Sequence, residues 1–228
     1  MKFIIVLVAL TLSIQTKALI VRHCLSKDIA QIVPTVVPIL QSTYSKIGLE
    51  SHFILVPEIR LVNQFNIGDC DTLFLKTSYI ENILKNGTII NVQLGDPIDY
   101  VIWMLKDSDP IPFEQSSIIH RRGSIFANNF ARDLKPRKII TSINMDVSFL
   151  LLKKRRADYF IGPKVTKYYY NSTDFTYLEK PKRSVELYHY ISNTLLPYKE
   201  KITKELKEQI ITNDFSVEKA IRNKKRVD

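Results

Sequence analysis

The side chains with the widest chemical reach in this sequence are four histidines, His23, His52, His120 and His189, and two cysteines, Cys24 and Cys70. A histidine can move protons or bind a metal, and a cysteine thiolate can attack a substrate, but each needs partners at workable spacing. That spacing is missing. No two histidines stand four apart, the cysteines are not a Cys-x-x-Cys pair, and there is neither a Gly-x-Ser-x-Gly elbow nor a glycine-rich phosphate loop. Each histidine falls in a run that reads as a strand, where a hydrogen-bonded structural side chain is the plainer role. Asp71 and Asp158, the clearest carboxylates in apolar segments, each open a strand after a turn, a position suited to closing that turn. The residues therefore predict no catalytic group, no metal site and no cofactor. What remains is recognition. Arg122-Gly123-Ser124 ends a strand and opens a helix, and the unpaired N–H groups and positive potential of a helix N-terminus suit an anion.

The elements that must position these residues alternate between apolar runs and helical periodicities, which predicts an α/β protein with largely parallel sheets. Residues 18–24 read as a first strand. Ile29, Val33, Val36, Leu40, Tyr44 and Ile47 then recur at helical spacing, with Pro34 and Pro38 delaying the regular part and Gly48 ending it. Strands are expected at 52–56, 71–76, 88–92 and 100–106, with short helices at 57–65 and 79–84. After the polar, proline-containing connection at 107–115, a second unit repeats the pattern with strands at 117–120, 138–141, 158–161 and 175–178. Its helices are expected at 125–132 and 144–154, the latter capped by Asn144. A long run at 185–191, an amphipathic helix marked by Ile202, Leu206 and Ile210, and a short last helix from Ser216 complete the chain.

Met1-Lys2, an apolar run at 3–12 and the small residues Thr16 and Ala18 read as a cleavable secretory leader, residues 1–18, too short to span a bilayer permanently. The net charge of +10 stays clearly positive without it, a statement about association rather than fold. The run Lys153-Lys154-Arg155-Arg156 follows apolar residues and reads as the cationic end of a helix. Arg222 to Arg226 reads as a frayed terminus. Tyr168-Tyr169-Tyr170 reads as a packing or interface element, with an aromatic ligand platform as its alternative. Asn86 and Asn171 stand in glycosylation sequons, which matter only in a eukaryotic source. Two cysteines in an oxidising compartment could pair, but Cys24 at the end of one strand and Cys70 before the start of another should lie ~16 Å apart if the strands are parallel neighbours. Free thiols are therefore expected.

Several segments carry a resemblance. Tyr44-Ser-Lys-Ile-Gly48, Leu55-Val-Pro57-Glu-Ile-Arg60-Leu and Asn66-Ile-Gly68-Asp-Cys-Asp71 look like the first lobe of the bacterial type 3 extracellular solute-binding proteins, the amino-acid-type receptors of ABC transporters. Arg122-Gly123-Ser124-Ile-Phe126, followed by Arg156-Ala-Asp158-Tyr-Phe-Ile161, resembles the second lobe, and Leu187-Tyr-His-Tyr-Ile191 the return to the first. The resemblance implies the periplasmic-binding-protein type II fold: two doubly wound α/β lobes joined by two crossing hinge strands, here 100–106 and 185–191. The lobes would comprise residues 19–104 with 186–228, and residues 105–185.

Ligands of open α/β sheets sit beyond the carboxyl ends of the strands. Arg22, Lys76, Thr77 and Tyr79 of the first lobe, Arg122, Gly123, Ser124, Asn128 and Gly162 of the second, and Trp103 on a hinge strand are thus the candidate ligand-binding residues. The aspartate that holds the ligand's ammonium group in amino-acid receptors is replaced here by Gly162-Pro163, and the carboxylate-binding arginine has no clear counterpart, with Lys76 near its place. A polar or anionic ligand is expected rather than an ordinary α-amino acid. The expected function is capture of a small polar or anionic solute in the periplasm, amino-acid-like or an organic acid, for ABC-type uptake or sensing. An ABC permease is the expected partner, the chain is expected to be monomeric, and neither nucleic acid nor catalysis is expected. The alternatives are a periplasmic enzyme on the same fold and an interaction protein for an anionic macromolecule.

Overall fold

A computed structural model describes residues 18–168 and 173–224. All but the last residue of the expected leader, Tyr169, Tyr170, the sequon at Asn171 and the end of the basic C-terminal run lie outside them. The chain opens with β1 (Ile20–Ser26), α1 (Lys27–Ile32), α2 (Val36–Ser45), β2 (Glu50–Val56), α3 (Glu58–Asn66), β3 (Thr72–Lys76), a 3₁₀ turn (Ser78–Ile83) and β4 (Gly87–Ile90). It continues with β5 (Ile98–Leu105), β6 (Ser117–Arg121), α4 (Ile125–Asp133), β7 (Lys138–Ser142), α5 (Met145–Lys153) and β8 (Tyr159–Pro163). The closing elements are β9 (Phe175–Val185), β10 (Tyr188–Ser192), α6 (Lys199–Thr212) and α7 (Val217–Lys224).

The strands form two five-stranded sheets, ordered β2-β1-β3-β10-β4 and β7-β6-β8-β5-β9. In each, three parallel strands are completed by antiparallel ones: β1 pairs in parallel with β2 and β3, and β6 with β7 and β8. Parallel strands covered on both faces must be apolar throughout, which is why Thr72-Leu-Phe-Leu-Lys76 is buried along its length. β5, expected as a crossing strand, pairs only within the second sheet, with β8 and β9. The run at 185–191 is divided between the sheets, β9 ending in the second and β10 starting in the first. The chain therefore passes between the sheets at residues 91–97 and 186–187.

Local chemistry sets the helix boundaries. The break after Ile32 falls at Val33-Pro34, and α2 begins only at Val36, with Pro38 in its first turn, where no intrahelical N–H is required. Gly48, at φ +80°, turns the chain out of α2, so that the Leu49 amide donates to the Tyr44 carbonyl at 3.0 Å. Asn144 caps α5 as expected, accepting from the Val147 amide at 2.9 Å. One apolar cluster is continuous through both sheets, joining Val21, Leu40 and Phe74 to Ile118, Phe126 and Ile161. Smaller clusters cover the outer faces, around Leu61, Phe65 and Tyr190 on one sheet and Trp103, Phe149 and Phe160 on the other.

Cys24 and Cys70, expected as free thiols, form a disulfide with Cα atoms 5.6 Å apart. β1 does not end at Cys24 but runs on to Ser26, and Thr72 at the start of β3 lies beside His23. The strands are thus offset, and the turn into β3, in which the Cys70 amide donates to the Gln64 carbonyl, brings Cys70 against the middle of β1.

Candidate functional site

The carboxyl ends of β3, β6 and β8, with α1 following β1, converge between the two sheets on a cavity of about 120 Å³. Most of its wall is apolar and comes from both halves of the chain. Ile29 and Val33 at α1, Phe126 and Ala127 on α4, Ile161 at β8 and Ile221 on α7 all face it. The aromatic ring of Phe126 is met edge-on by Tyr79, at 5.2 Å between centroids, and by Tyr100, at 4.8 Å. Burial raises the Tyr100 hydroxyl above its ordinary pKa, and Ser124 faces that hydroxyl.

Charge enters the cavity at one corner. Glu58 is the first residue of α3, where Pro57 pre-sets the backbone and the helix N-terminus favours a carboxylate. Lys76, the last residue of β3, donates to Glu58 Oε1 at 2.5 Å. Arg121, the last residue of β6 in the other sheet, donates from Nη1 to Asp28 Oδ2 at 3.0 Å and places Nη2 3.5 Å from Glu58 Oε2. Two cations and two carboxylates thus tie the two sheets together. Burial opposes the charge on Glu58, but Lys76 and Arg121 outweigh it and hold the carboxyl below its usual range. For Lys76 burial prevails over Glu58, and its ammonium is pushed down. Arg121 is raised in spite of burial, through Glu58, Tyr100 and Asp28.

The sheets can meet this closely because of Gly123. At φ +89° it occupies a region open to glycine, and a Cβ there would stand 2.9 Å from Cα and N of Ile59. Two residues upstream is Arg121 and one upstream of Ile59 is Glu58, so this backbone contact sets the distance between them.

Of the residues expected at the site, Lys76, Thr77, Gly123 and Ser124 line the cavity. Ser124 spends its hydroxyl as the α4 cap, accepting from the Ala127 amide at 3.3 Å. Tyr79 lies beside the cavity, against Phe126. The others are elsewhere. Arg22 sits toward the start of β1 and clamps Asp71 with two hydrogen bonds of 3.0 and 2.9 Å. Trp103 packs between Phe149 and Tyr177 on the outer face of the second sheet, with its indole N–H unpartnered. Arg122 is exposed, and its amide donates to the Ser142 carbonyl. Asn128 lies one turn into α4 and faces His120. Gly162 is held in β8 against Val101, and a Cβ on it would strike the Phe160 ring at 2.6 Å.

Glu58, Arg121 and Asp28 were not singled out by sequence. Arg121 could have been: it immediately follows the apolar run of β6, whereas Arg122 starts the turn. Asp71 and Asp158 act locally, Asp158 accepting from the Ser117 amide and hydroxyl at 2.7 Å each. The buried histidines are also satisfied. His23 bonds Thr72 and Ser51, and His189 bonds the Leu73 carbonyl through Nδ1, leaving Nε2 to accept from the Tyr44 hydroxyl at 2.7 Å. Among the described residues, no group of three histidine, cysteine, aspartate or glutamate side chains could hold a metal ion.

No family model matches the chain, and no curated protein matches it. Solved structures do. An amino acid ABC transporter substrate-binding protein of Streptococcus pneumoniae, bound to L-arginine, superposes with a TM-score of 0.71 at 14% identity, covering 91% of this chain and 94% of that one. The GluR0 ligand-binding core in complex with L-glutamate gives a TM-score of 0.71 at 11% identity, over 92% and 98%. The VFT2 domain of Bordetella pertussis BvgS gives 0.65 at 17% identity, over 90% and 92%. The chain has the periplasmic-binding-protein type II fold. At these identities the likeness extends to the fold and not to the ligand, since one fold hosts many functions. On this fold the cavity lies in the cleft between the sheets, and the Arg121 interactions with Asp28 and Glu58 bridge that cleft.

Proposed function

We propose that this protein is a solute-binding protein that captures a small polar molecule between two lobes and performs no chemistry on it. The lobes follow the two sheets, with the chain crossing between them at 91–97 and 186–187. The observation that carries this reading is the cavity itself: it is walled by both halves of the chain, lies at the carboxyl ends of the parallel strands, and is bridged by Arg121. Closure then works by population shift, a ligand favouring the closed form only as far as its contacts are better there. Of the two expected ligand classes, polar is favoured over anionic, because Lys76 and Arg121 are matched by Glu58 and Asp28 and leave no surplus positive charge.

The expected leader and the Cys24–Cys70 disulfide both suit an exported, oxidising location, the periplasm in a Gram-negative cell. Among the described residues no helix is long and apolar enough to cross a membrane. The partner this reading implies is an ABC permease, or an output partner where the role is sensing.

The test is thermal unfolding of ligand-stripped protein against a panel of amino acids, organic acids, polyamines, sugars and small neutral compounds. A ligand at a hundred times its dissociation constant should add ~2.7 kcal/mol and raise the melting temperature by roughly 5–11 °C. A shift confined to one chemical class identifies a solute receptor. No shift with any class, together with a partner captured through the basic surface, would overturn the reading.

A further inference from the structure

Positive charge gathers at the end of the second sheet that faces away from the cavity. β6 and β8 reach the cavity with their carboxyl ends, so their starts, Ser117 and Tyr159, lie at the opposite pole, together with Lys138 at the start of β7 and Leu105 at the end of the antiparallel β5. The chain returns to this pole after α4 and again after α5: the Lys138 amide donates to the Ser116 carbonyl at 3.2 Å, and the Asp158 amide to the Ser117 carbonyl at 3.0 Å. Lys106, Lys135, Arg137, Lys138, Lys154 and Arg156 meet there, all exposed and, among the described residues, in no ion pair. Lys153 and Arg155 beside them are matched by Asp174 and Asp107, each at 2.7 Å. The carboxylates that remain, Asp109, Glu114 and Asp158, are outnumbered. Helix macrodipoles account for only part of this. They act within the last turn, which holds Arg132 in α4 and Lys153 in α5, whereas the unpaired cations lie beyond those turns or at strand ends.

Exposed apolar side chains stand among the cations. Leu150 is exposed one turn before Lys154, whose amide donates to the Leu150 carbonyl at 3.0 Å, so the two share a face. Ile111, exposed between Pro110 and Pro112, lines one surface depression with Arg155, and its loop is pinned by the Tyr159 hydroxyl, which accepts from the Ile111 amide and donates to its carbonyl at 2.8 Å each. The aromatic side chains of this pole, Phe113, Tyr159 and Phe175, are buried or half-buried and offer no exposed platform on which a base could stack. Cations with interspersed aliphatic side chains instead match the head groups and outer acyl region of an anionic bilayer. We propose that this pole docks on the surface of an anionic phospholipid membrane, with Leu150 and Ile111 entering the interface. The cavity, at the other end of the same strands, then stays clear of the lipid. This inference rests on the second sheet alone and is independent of the solute-binding reading.

The test is sedimentation of residues 19–228, which contain every described strand and helix, with sucrose-loaded vesicles of phosphatidylcholine alone or in equal parts with phosphatidylglycerol. Binding is expected to the anionic vesicles only, and should fall steeply as salt rises from roughly 0.05 to 0.3 M. Each cation near such a surface is worth about fivefold in partitioning, so Lys154→Glu with Arg156→Glu should weaken binding by at least about 25-fold, and Arg137→Glu with Lys138→Glu should do the same. All four side chains are exposed and unpaired, so these variants should fold, and melting temperature checks that they do. Lys201→Glu with Lys207→Glu on α6, which packs against α2 of the first sheet, makes the same change in net charge and should cost less than about threefold, because distant charges are screened. Leu150→Ser should weaken binding through lost apolar contact; binding as in the wild type would overturn its interfacial role. An equal loss from the α6 variant would assign the effect to net charge and overturn the docking pole. Equal binding to both kinds of vesicle, or none to the anionic ones at low salt, overturns the proposal, as does binding of duplex DNA with the vesicles silent. The solute panel is read separately by thermal shift, so none of these outcomes decides the solute-binding reading.

Discussion

Acid should destabilise this protein already above the pH range in which carboxylates titrate, and two buried histidines supply the reason. His189 is enclosed between β3 and α2, its Nδ1 on the Leu73 carbonyl and its Nε2 accepting from Tyr44, so the folded state needs the neutral ring. Burial pushes its pKa from the ordinary 6.5 down to about 4. His23, stacked on Phe53 at 5.0 Å and bonded to Thr72 and Ser51, is pushed to about 3 by burial and, secondarily, by His189. Both folded pKa values lie below the unfolded one, so the unfolded state binds more protons below pH 6.5. The stability is present in full above 6.5 and is lost as pH falls toward 4. Each group then costs about 1.4 kcal/mol per pH unit, and the two together remove roughly 4 kcal/mol between pH 7 and pH 5. That is a large part of a typical ~5–15 kcal/mol stability, and should lower the melting temperature by roughly 8–16 °C. Burial also lowers His120, which adds in the same direction. Glu58, whose pKa is lowered, loses its contribution only below the ordinary carboxylate range and does not disturb the window. Chemical unfolding from pH 7 to pH 4.5 would read the slope. His189→Gln, which keeps an acceptor for Tyr44, should weaken stability at pH 7 but reduce the loss on acidification by about half. A variant with the wild-type pH slope, or a wild type equally stable at pH 7 and 5, would refute the reasoning.

Two further outcomes follow from the bonds described. Arg121→Met removes the cation that bridges Asp28 and Glu58, and breaking a buried ion pair on one side costs roughly 3–5 kcal/mol, here toward the lower end because Lys76 remains on Glu58. Denaturation should show that loss, and small-angle scattering an increased radius of gyration; unchanged values would mean that Arg121 does not hold the cleft. Reducing Cys24–Cys70, or replacing both by serine, opens a loop whose ends are 46 residues apart, with an expected loss of about 4 kcal/mol in urea unfolding. Equal stability of oxidised and reduced protein would sink this.

The fold was largely legible because parallel strands covered on both faces must be continuously apolar, and β3, β6 and β8 announce themselves that way. Boundaries were legible where chemistry is local, as at Gly48 and Asn144. The candidate site was less so, for two reasons. Strand parity separates neighbours: on β5, Tyr100 and Ile102 pack toward the core shared by the sheets, whereas Val101 and Trp103 face the outer cluster. Tyr100 and Trp103, three residues apart, could never have shared the cleft, and alternation along the strand was enough to see it. Glu58 is the opposite case. Its role depends on the end of β3 lying beside the start of α3 and on Gly123 pressing against Ile59 from the other sheet, relations that no local pattern encodes.

The basic composition finds its place through the same geometry. The cleft carries Lys76 and Arg121 against Glu58 and Asp28, so the excess charge lies elsewhere, part of it at the end of α5. There Lys153 reaches Asp174 at 2.7 Å and Arg155 reaches Asp107 at 2.7 Å, in exposed pairs that contribute little to stability. Net charge therefore says nothing about what the cavity prefers. What the cleft offers a ligand is the difference between what its walls already have and what they lack. The apolar core runs through both sheets and the ions are paired, so these contacts hold the two sheets together in this structure, and on the solute-binding proposal they do so before any ligand arrives. A ligand adds only contacts that closure alone does not supply. Within this corner that means apolar contact with the remaining cavity wall.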